Sequence, residues 1–264
     1  MMKKAFRTLL CVALFLIATI PQTYGQTESK GIQFKYEYQS ILLDSTYNSV
    51  DLTVQNYIEQ LRERMNKELS VVIGEADQEM RSFKPQSPLS NFLTDILFDF
   101  GNQFLAKTHS GTRANLSVLN FGGIRSSLLA GPITIEDIYK VAPFDNKVVI
   151  IDIRGEQLIK FFNRFTEKHH AAFSQAQTIY RNGRMTQATV QGEKIQSEKV
   201  YKVVTIDFLA TGGDGFFKDI QFENIIYTDI LLRDAFIAQI QQLTQSGIKI
   251  SGQNDQRVII QPTP

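Results

Sequence analysis

The spacing of apolar residues along the chain predicts two long helices near its beginning. Within residues 51–69 apolar side chains recur at helical intervals, at Val54, Ile58, Leu61 and Met65. A longer apolar stripe runs through residues 89–104, and it follows Ser87, which is suited to the N-cap, and Pro88, which is suited to the first helical position. We expect this second helix to be the main buried helix of the fold.

Shorter helices are predicted further along the chain. Thr134 and Asp137 have the spacing of a capping box, which starts a helix at residue 135, and Pro143 ends it. Apolar spacing predicts another helix at residues 158–165. A last helix is expected between Thr228, as its N-cap, and Gly247, where it closes.

Runs of β-branched or alternating residues predict strands between these helices. The predicted strands cover residues 32–43, 69–73, 116–119, 148–153, 185–191, 200–209 and 257–260. Helices and strands are mixed without a regular β-α-β repeat, so we predict an α+β fold, a single domain of mixed β-sheets flanked by helices.

The first 25 residues have the features of a cleavable secretory signal. Three basic residues precede an apolar run at residues 9–20, and small residues stand before a cleavage point after Gly25. The run is too short for a membrane span, which needs about 20 apolar residues. We therefore expect a periplasmic or secreted protein with no membrane span, in which 26–34 are disordered and 35–264 form the domain.

Composition narrows the function further. Removal of the signal also removes Cys11, which is the single cysteine, and leaves 25 basic and 27 acidic residues. Disulfides are then excluded, and a chain this close to neutrality has no basic surface that would attract nucleic acid.

The stretch of residues 119–146, LNFGGIRSSLLAGPITIEDIYKVAPFDN, carries the strongest chemical signal. Gly122 and Gly123 follow a strand, where a turn can expose backbone N–H groups, and Arg125 adds a planar fork of donors. Phe144 lies on a turn rather than in an apolar stripe. These features suit an anionic or planar ligand, although an isolated glycine turn with a surface arginine is also compatible with a structural turn alone.

A second motif, VVTIDFLATGGDGF at residues 203–216, makes the pattern specific. Together the two stretches resemble the C-terminal, substrate-recognition domain of the periplasmic 5′-nucleotidase/UDP-sugar hydrolase family. In that family N-G-G-G-I-R is followed by an acidic-capped helix and a Pro-Phe turn, and a strand leads into A-[NT]-G-G-D-G-[FY]. The resemblance covers almost all of the chain after about residue 35. This chain departs from the pattern at Phe121, at Gln175 and at Arg81, which is offset from the family's further arginine.

The resemblance implies a set of substrate-binding residues. They are Asn120, Gly122, Gly123, Arg125, Phe144, Gly213, Phe216 and Asp219. Phe144 and Phe216 match the two aromatics that sandwich the base, Asn120 a residue bonded to the base edge, and Arg125 a cation on the phosphate side. Asp219 matches the acid that holds the ribose hydroxyls, whereas Asp214 is expected to be a structural turn residue.

The chain lacks the D-x-H and G-N-H-[DE] motifs that hold the two metals in the family's metallophosphoesterase domain. Its mature histidines have no metal-ligand spacing, and no catalytic triad is evident. We therefore predict no catalytic residue, no metal site and no cofactor in this chain, with divalent metals in a partner. Two hypotheses follow. The chain recognises the nucleotide for a separately encoded metallophosphoesterase, or it is a non-catalytic nucleoside- or nucleotide-binding or scaffold protein.

Overall fold

The computed structural model describes residues 35–40, 51–166 and 168–261. Residues 35–40 belong to a first unit that ends at Asp51; they are exposed and have no regular secondary structure. The strand predicted at 32–43 is therefore absent from its described part, because no strand pairing of the described chain includes these residues and an unpaired strand is unstable. The predicted signal at 1–25 and the predicted disorder at 26–34 lie outside the described residues.

The second unit begins at Leu52 and contains the regular elements. Its helices are α1 (Leu52–Leu69), α2 (Pro88–Thr108), α3 (Ile135–Val141), α4 (Gly155–Phe162), α5 (Asp207–Ala210) and α6 (Leu232–Gln245). Its strands are β1 (Val72–Ala76), β2 (Leu116–Leu119), β3 (Gly131–Thr134), β4 (Lys147–Arg154), β5 (Ala172–Ser174), β6 (Ala176–Arg181), β7 (Arg184–Val190), β8 (Glu193–Lys194), β9 (Val200–Ile206), β10 (Asn224–Leu231) and β11 (Val258–Gln261). Short 3₁₀ turns occupy Phe121–Gly123 and Gly213–Gly215.

The strands form three sheets. The central sheet has five strands in the order β10-β4-β9-β2-β5, a second has four in the order β11-β6-β7-β8, and β1 pairs with β3. Within the central sheet β2 and β9 run parallel while the other neighbours are antiparallel. This mixture of parallel and antiparallel pairs confirms the α+β prediction.

Helix α2 is the main buried helix, as its apolar stripe predicts. It packs on β2, β5 and β9 of the central sheet. The approach is close at Gly101, where an added Cβ would lie 2.3 Å from Cγ2 of Val204. A buried hydrogen bond from Ser117 Oγ to the Thr94 carbonyl, 2.6 Å long, also joins β2 to the helix. The helix therefore covers one face of the sheet, and β4 supplies its buried interior, from Val148 to Ile151.

The predicted caps of α2 and α3 are both confirmed. Ser87 caps α2 in a reciprocal box with Ser90, and Pro88 occupies the first turn. At α3 the Thr134 side chain accepts from the Asp137 N–H, and the Asp137 carboxylate accepts from the Thr134 N–H. These local signals depend on a few adjacent residues, which is why the sequence alone identifies them.

Two predicted element boundaries were wrong. Thr228 does not cap the last helix; it lies in β10, which pairs with β4, and its hydroxyl donates to the Val148 carbonyl at 2.8 Å. The helix α6 starts four residues later, at Leu232. The strand predicted at 200–209 ends at Ile206, because residues 207–210 form the short helix α5.

Candidate functional site

The register of the central sheet brings the two glycine-containing motifs to one edge. Val148 at the start of β4 pairs with Ile206 at the end of β9, since these strands are antiparallel. Strand β2 runs parallel to β9, with Ser117 opposite Val204, so β2 also ends at this edge. The segments that follow β2 and β9, and the Pro-Phe turn that precedes β4, therefore emerge side by side. We call this place the site edge.

Asn120 joins the first motif to the second. Its side chain is buried, and its Nδ2 donates to Oδ2 of Asp214 at 2.7 Å. Its Oδ1 is buried without a hydrogen-bond partner and lies where a Cβ on Gly123 would meet it, 2.7 Å away. A residue larger than glycine at 123 would therefore displace Asn120 and weaken the link between the motifs.

Asp214 is the acceptor in that link and has an unusual backbone. Its φ is +53°, a left-handed conformation that aspartate adopts more readily than most residues. It lies in the 3₁₀ turn of the second motif, and its side chain is at the surface. The prediction that Asp214 is a turn residue describes its backbone correctly, and the structure adds a carboxylate directed to Asn120.

Phe208 is an exposed aromatic side chain at the site edge that the sequence analysis did not assign to the site. It is 42% exposed. A Cβ on Gly213 would lie 2.5 Å from its ring, so only glycine allows the second motif to turn this close to the phenyl group. One carboxylate oxygen of Asp207 accepts from the Phe208 N–H at 2.8 Å and from the Lys147 N–H at 3.1 Å. This oxygen ties the start of α5 to the residues just after the Pro-Phe turn.

Phe144 lies on that turn with 47% of its surface exposed. The turn is held from below by Arg233, whose Nη1 lies 3.5 Å from the Pro143 carbonyl oxygen and 3.4 Å from that of Phe144. The same guanidinium forms an ion pair with Asp145 and lies over the ring of Tyr139, 4.8 Å from its centroid. The backbone of the turn is therefore fixed while the Phe144 ring stays open to solvent.

Arg125 also keeps its charged group at the surface. Its backbone N–H donates to the Val141 carbonyl at 2.9 Å, which ties the first motif to the end of α3. Its Nη1 contacts the Gly122 carbonyl at 3.3 Å, the one side-chain hydrogen bond the structure gives this described residue. Most of its donors are therefore available to an anion.

Phe216 differs from its prediction. The expectation was an exposed ring facing Phe144, yet Phe216 is 3% exposed. His169 stacks on it with ring centroids 4.8 Å apart, and Phe165 meets it edge-on at 5.5 Å. The reason is that the segment before β5 ends at the same sheet edge and covers this side chain. Phe216 belongs to an aromatic cluster under the site.

His170 anchors the segment that covers Phe216. Its ring is buried, with Nδ1 3.0 Å from the Thr166 carbonyl and Nε2 2.8 Å from the Pro85 carbonyl. Burial lowers the pKa of His170 below its ordinary value, against the two carbonyls, which raise it.

Asp219 lies after the aromatic cluster rather than in the link between the motifs. Its φ is +55°, and its carbonyl accepts from Lys160 Nζ of α4 at 2.9 Å. Its carboxylate has no contact with Asn120, whose bond goes to Asp214. Among the predicted site residues the structure thus joins Asn120 and Gly123 to the second motif through Asp214.

Other kinds of site were searched for across the described chain. Residues 35–40, 51–166 and 168–261 contain no group of three or more His, Cys, Asp or Glu side chains suited to a metal ion. No helix in the same residues is long and apolar enough to cross a membrane.

Comparison with known families gives one match. Residues 72–219, more than half of the chain, match the family described as the 5′-nucleotidase C-terminal domain. Both motifs of the site edge fall inside that range.

Curated relatives match over part of their length. The chain is 28% identical over 154 residues to protein UshA of Escherichia coli, covering 56% of this chain and 27% of that protein. It is 23% identical over 192 residues to the 5′-nucleotidase of Vibrio cholerae, covering 71% of this chain and 34% of the relative. The chain therefore spans about a quarter to a third of the length of these relatives.

Solved structures share the fold. The 5′-nucleotidase precursor of Thermus thermophilus superposes with a TM-score of 0.64 at 22% identity, covering 81% of this chain and 44% of that one. The NAD nucleotidase of Haemophilus influenzae gives a TM-score of 0.59 at 15% identity, covering 81% and 42%.

Proposed function

The chain belongs to the 5′-nucleotidase C-terminal domain family, and from this premise we propose that it is the nucleotide-recognition component of nucleotide hydrolysis. The observation that carries the proposal is the meeting of both motifs at the site edge, where Phe144 and Phe208 are exposed within a frame fixed by Asp207, Arg233 and the Asn120–Asp214 bond.

In this proposal the base stacks between Phe144 and Phe208. The Asp207 carboxylate holds the backbone of both neighbouring segments, so the two rings rise from adjoining turns. Stacking of a base on an aromatic face contributes about 1–3 kcal/mol and tolerates different bases. Phe208 takes the role that the sequence assigned to Phe216, because the Phe216 ring is covered by His169.

The polar groups divide the rest of the nucleotide between them. Arg125, with its guanidinium at the surface, is suited to the phosphate side. Asp214 is suited to the ribose hydroxyls, because a carboxylate can accept two hydrogen bonds and the Asn120 amide already orients this one. Asp214 thereby replaces Asp219, and Asn120 acts as a positioning residue.

Hydrolysis itself needs the metals of a phosphoesterase, which we assign to a separate chain. This assignment is supported by the length of the relatives, of which this chain spans 27% and 34% in the two cases above. The scissile phosphate would point away from the aromatic pair, toward Arg125 and the partner's metals. The chain then contributes affinity and orientation to the reaction.

Calorimetric titration of the purified chain with AMP and with a UDP-sugar tests the recognition step. Phe144→Ala and Phe208→Ala should each weaken binding by about 1–3 kcal/mol. Tyr57→Ala, an exposed aromatic on α1, is the matched control and should leave the affinity unchanged. No binding by the wild type, or equal losses in all three variants, would refute the base-stacking role.

Phosphate release separates this function from its alternative. With a secreted metallophosphoesterase of the same organism and Mn²⁺, the wild-type chain should raise AMP hydrolysis, and Arg125→Ala should reduce that stimulation. Binding of AMP without any stimulation would favour the non-catalytic nucleotide-binding protein. Turnover by the chain alone would show that it is itself the enzyme.

A further inference from the structure

Helix α1 has an apolar face that nothing in the described chain covers. Ile58, Leu61 and Met65 occupy one face at helical spacing and are 43%, 37% and 56% exposed. None of the 18 residues of α1 is buried. An apolar stripe of this kind on a stable helix marks an interaction surface, because its exposure to water is unfavourable.

The position of α1 in the chain indicates what covers this face. The helix ends at Leu69, and the match to the C-terminal domain family begins at residue 72. In longer proteins of the family the rest of the protein precedes a C-terminal domain. Helix α1 thus lies where the chain of such a relative would continue into its other domain.

The surface is also continuous with the candidate site. Helix α1 lies beside α3. On α3 the exposed Tyr139 ring contacts the guanidinium of Arg233, and that guanidinium holds the carbonyls of the turn that carries Phe144. A protein bound to α1 and α3 would therefore reach the rim of the site edge.

We propose that the apolar face of α1, continued by Tyr139 of α3, is the docking surface for the metallophosphoesterase chain. This inference rests on the proposed function and adds to it the place where the partner binds. An 18-residue helix is about 27 Å long. Such a helix with part of α3 can contribute substantially to the roughly 800 Å² per partner that a stable interface buries.

Two other occupants fit the helix less well. Membrane-surface helices are rich in Lys and Arg, whereas α1 carries three acidic and three basic residues, Glu59, Glu63, Glu68, Arg62, Arg64 and Lys67. A second copy of the chain would pair through a coiled coil, which needs at least about three heptads of apolar positions, and 18 residues provide fewer.

The test measures association of the full chain with a secreted metallophosphoesterase of the same organism that lacks a C-terminal domain of its own, by surface plasmon resonance. The test variant is Ile58→Glu with Met65→Glu. The matched control is Asn56→Glu with Gln60→Glu, which adds the same charge to the exposed polar side of α1. All four positions lack buried contacts, so both variants should fold as the wild type does.

The proposal expects the wild type to bind, the test variant to bind at least about tenfold more weakly, and the control to stay within about twofold. Absence of such a phosphoesterase from the genome, no binding by the wild type, or equal losses in both variants would overturn it. Concentration-dependent dimers of the wild type, or binding to anionic vesicles, lost in the test variant alone, would assign the face to a second copy or a membrane instead.

AMP titration of the same samples keeps the two proposals apart. Both α1 variants should bind AMP as the wild type does, since none of the changed residues lies at the site edge. Normal AMP binding with no partner binding refutes the docking surface alone. Loss of AMP binding by the wild type refutes the recognition function instead.

Discussion

Helices α1 and α2 have similar lengths and similar apolar patterns, yet they lie in opposite environments. Helix α2 has 21 residues, of which eleven are buried, whereas α1 has 18 residues and none is buried. Helix α2 covers β2, β5 and β9. Periodicity thus identifies a helix and the face it presents, but the sheet that receives the face decides whether it becomes core.

The difference also separates stability from interaction. A side chain buried in α2 contributes through burial and close packing to every molecule of the chain. An apolar side chain on α1 contributes chiefly when a partner covers it. Equivalent substitutions in the two helices should therefore have unequal effects on the isolated chain.

The largest expected contrast is between leucines. Leu97 of α2 is fully buried, and Leu97→Ala should lower the free energy of unfolding by about 2–5 kcal/mol through lost burial and a cavity. Leu61→Ala on α1 should change it by less than about 0.5 kcal/mol. Urea denaturation of the two variants measures both. A loss of several kcal/mol in Leu61→Ala would mean that α1 is packed in the isolated chain.

Close packing of α2 gives a smaller effect at Gly101. Gly101→Ala introduces a methyl group 2.3 Å from Val204 Cγ2, and the resulting strain should cost about 1–3 kcal/mol, reduced by alanine's better helix propensity. On α1, Asn56→Ala should be neutral or stabilise by a few tenths of a kcal/mol. The ranking, measured by thermal unfolding, fails if Gly101→Ala is the more stable of the two.

The cap of α2 gives a still smaller one. Ser87→Ala removes a buried side chain that accepts from the Ser90 N–H and should cost about 1 kcal/mol. Ser70→Ala, an exposed serine just after α1, should stay within about 0.5 kcal/mol. Equal unfolding midpoints in urea for the two variants would show that the cap does not contribute to stability.

Much of the fold could be predicted because its signals are local. The caps at Ser87 and Thr134 each depend on residues within one helical turn. The boundaries that failed depend on distant partners. Thr228 satisfies the pattern of a cap, and it lies in a strand because β4 is available beside it to pair.

The candidate site shows the same limit. Both motifs were identified from their glycines, which are set by backbone geometry within a few residues, such as the approach of Gly213 to Phe208. Which aromatic ring stays exposed was not predictable, because Phe216 is covered by His169 from a different segment. Spacing in sequence does not report which segment ends at which edge of a sheet.

The smallest predicted effect concerns pH and the residues that lead into α2. His170 Nε2 faces the carbonyl of Pro85, and Nδ1 faces that of Thr166. A neutral imidazole has one N–H, so it donates to one carbonyl only, and the nearby Lys84 and His169 disfavour a further positive charge. Burial outweighs the carbonyls and lowers the pKa of His170 in the folded chain.

The sign of the pH effect follows from that direction. In the unfolded chain His170 takes up a proton below its ordinary pKa of 6.5, while the folded chain resists protonation, so this contribution to stability is complete above pH 6.5 and declines as the pH falls below it. Between pH 7 and pH 5 the wild type should lose more unfolding free energy than His170→Gln, and exposed His109→Gln should follow the wild type. A steeper loss in His170→Gln would mean that the two carbonyls hold a protonated ring, and that the segment covering Phe216 is fixed by charge rather than by burial.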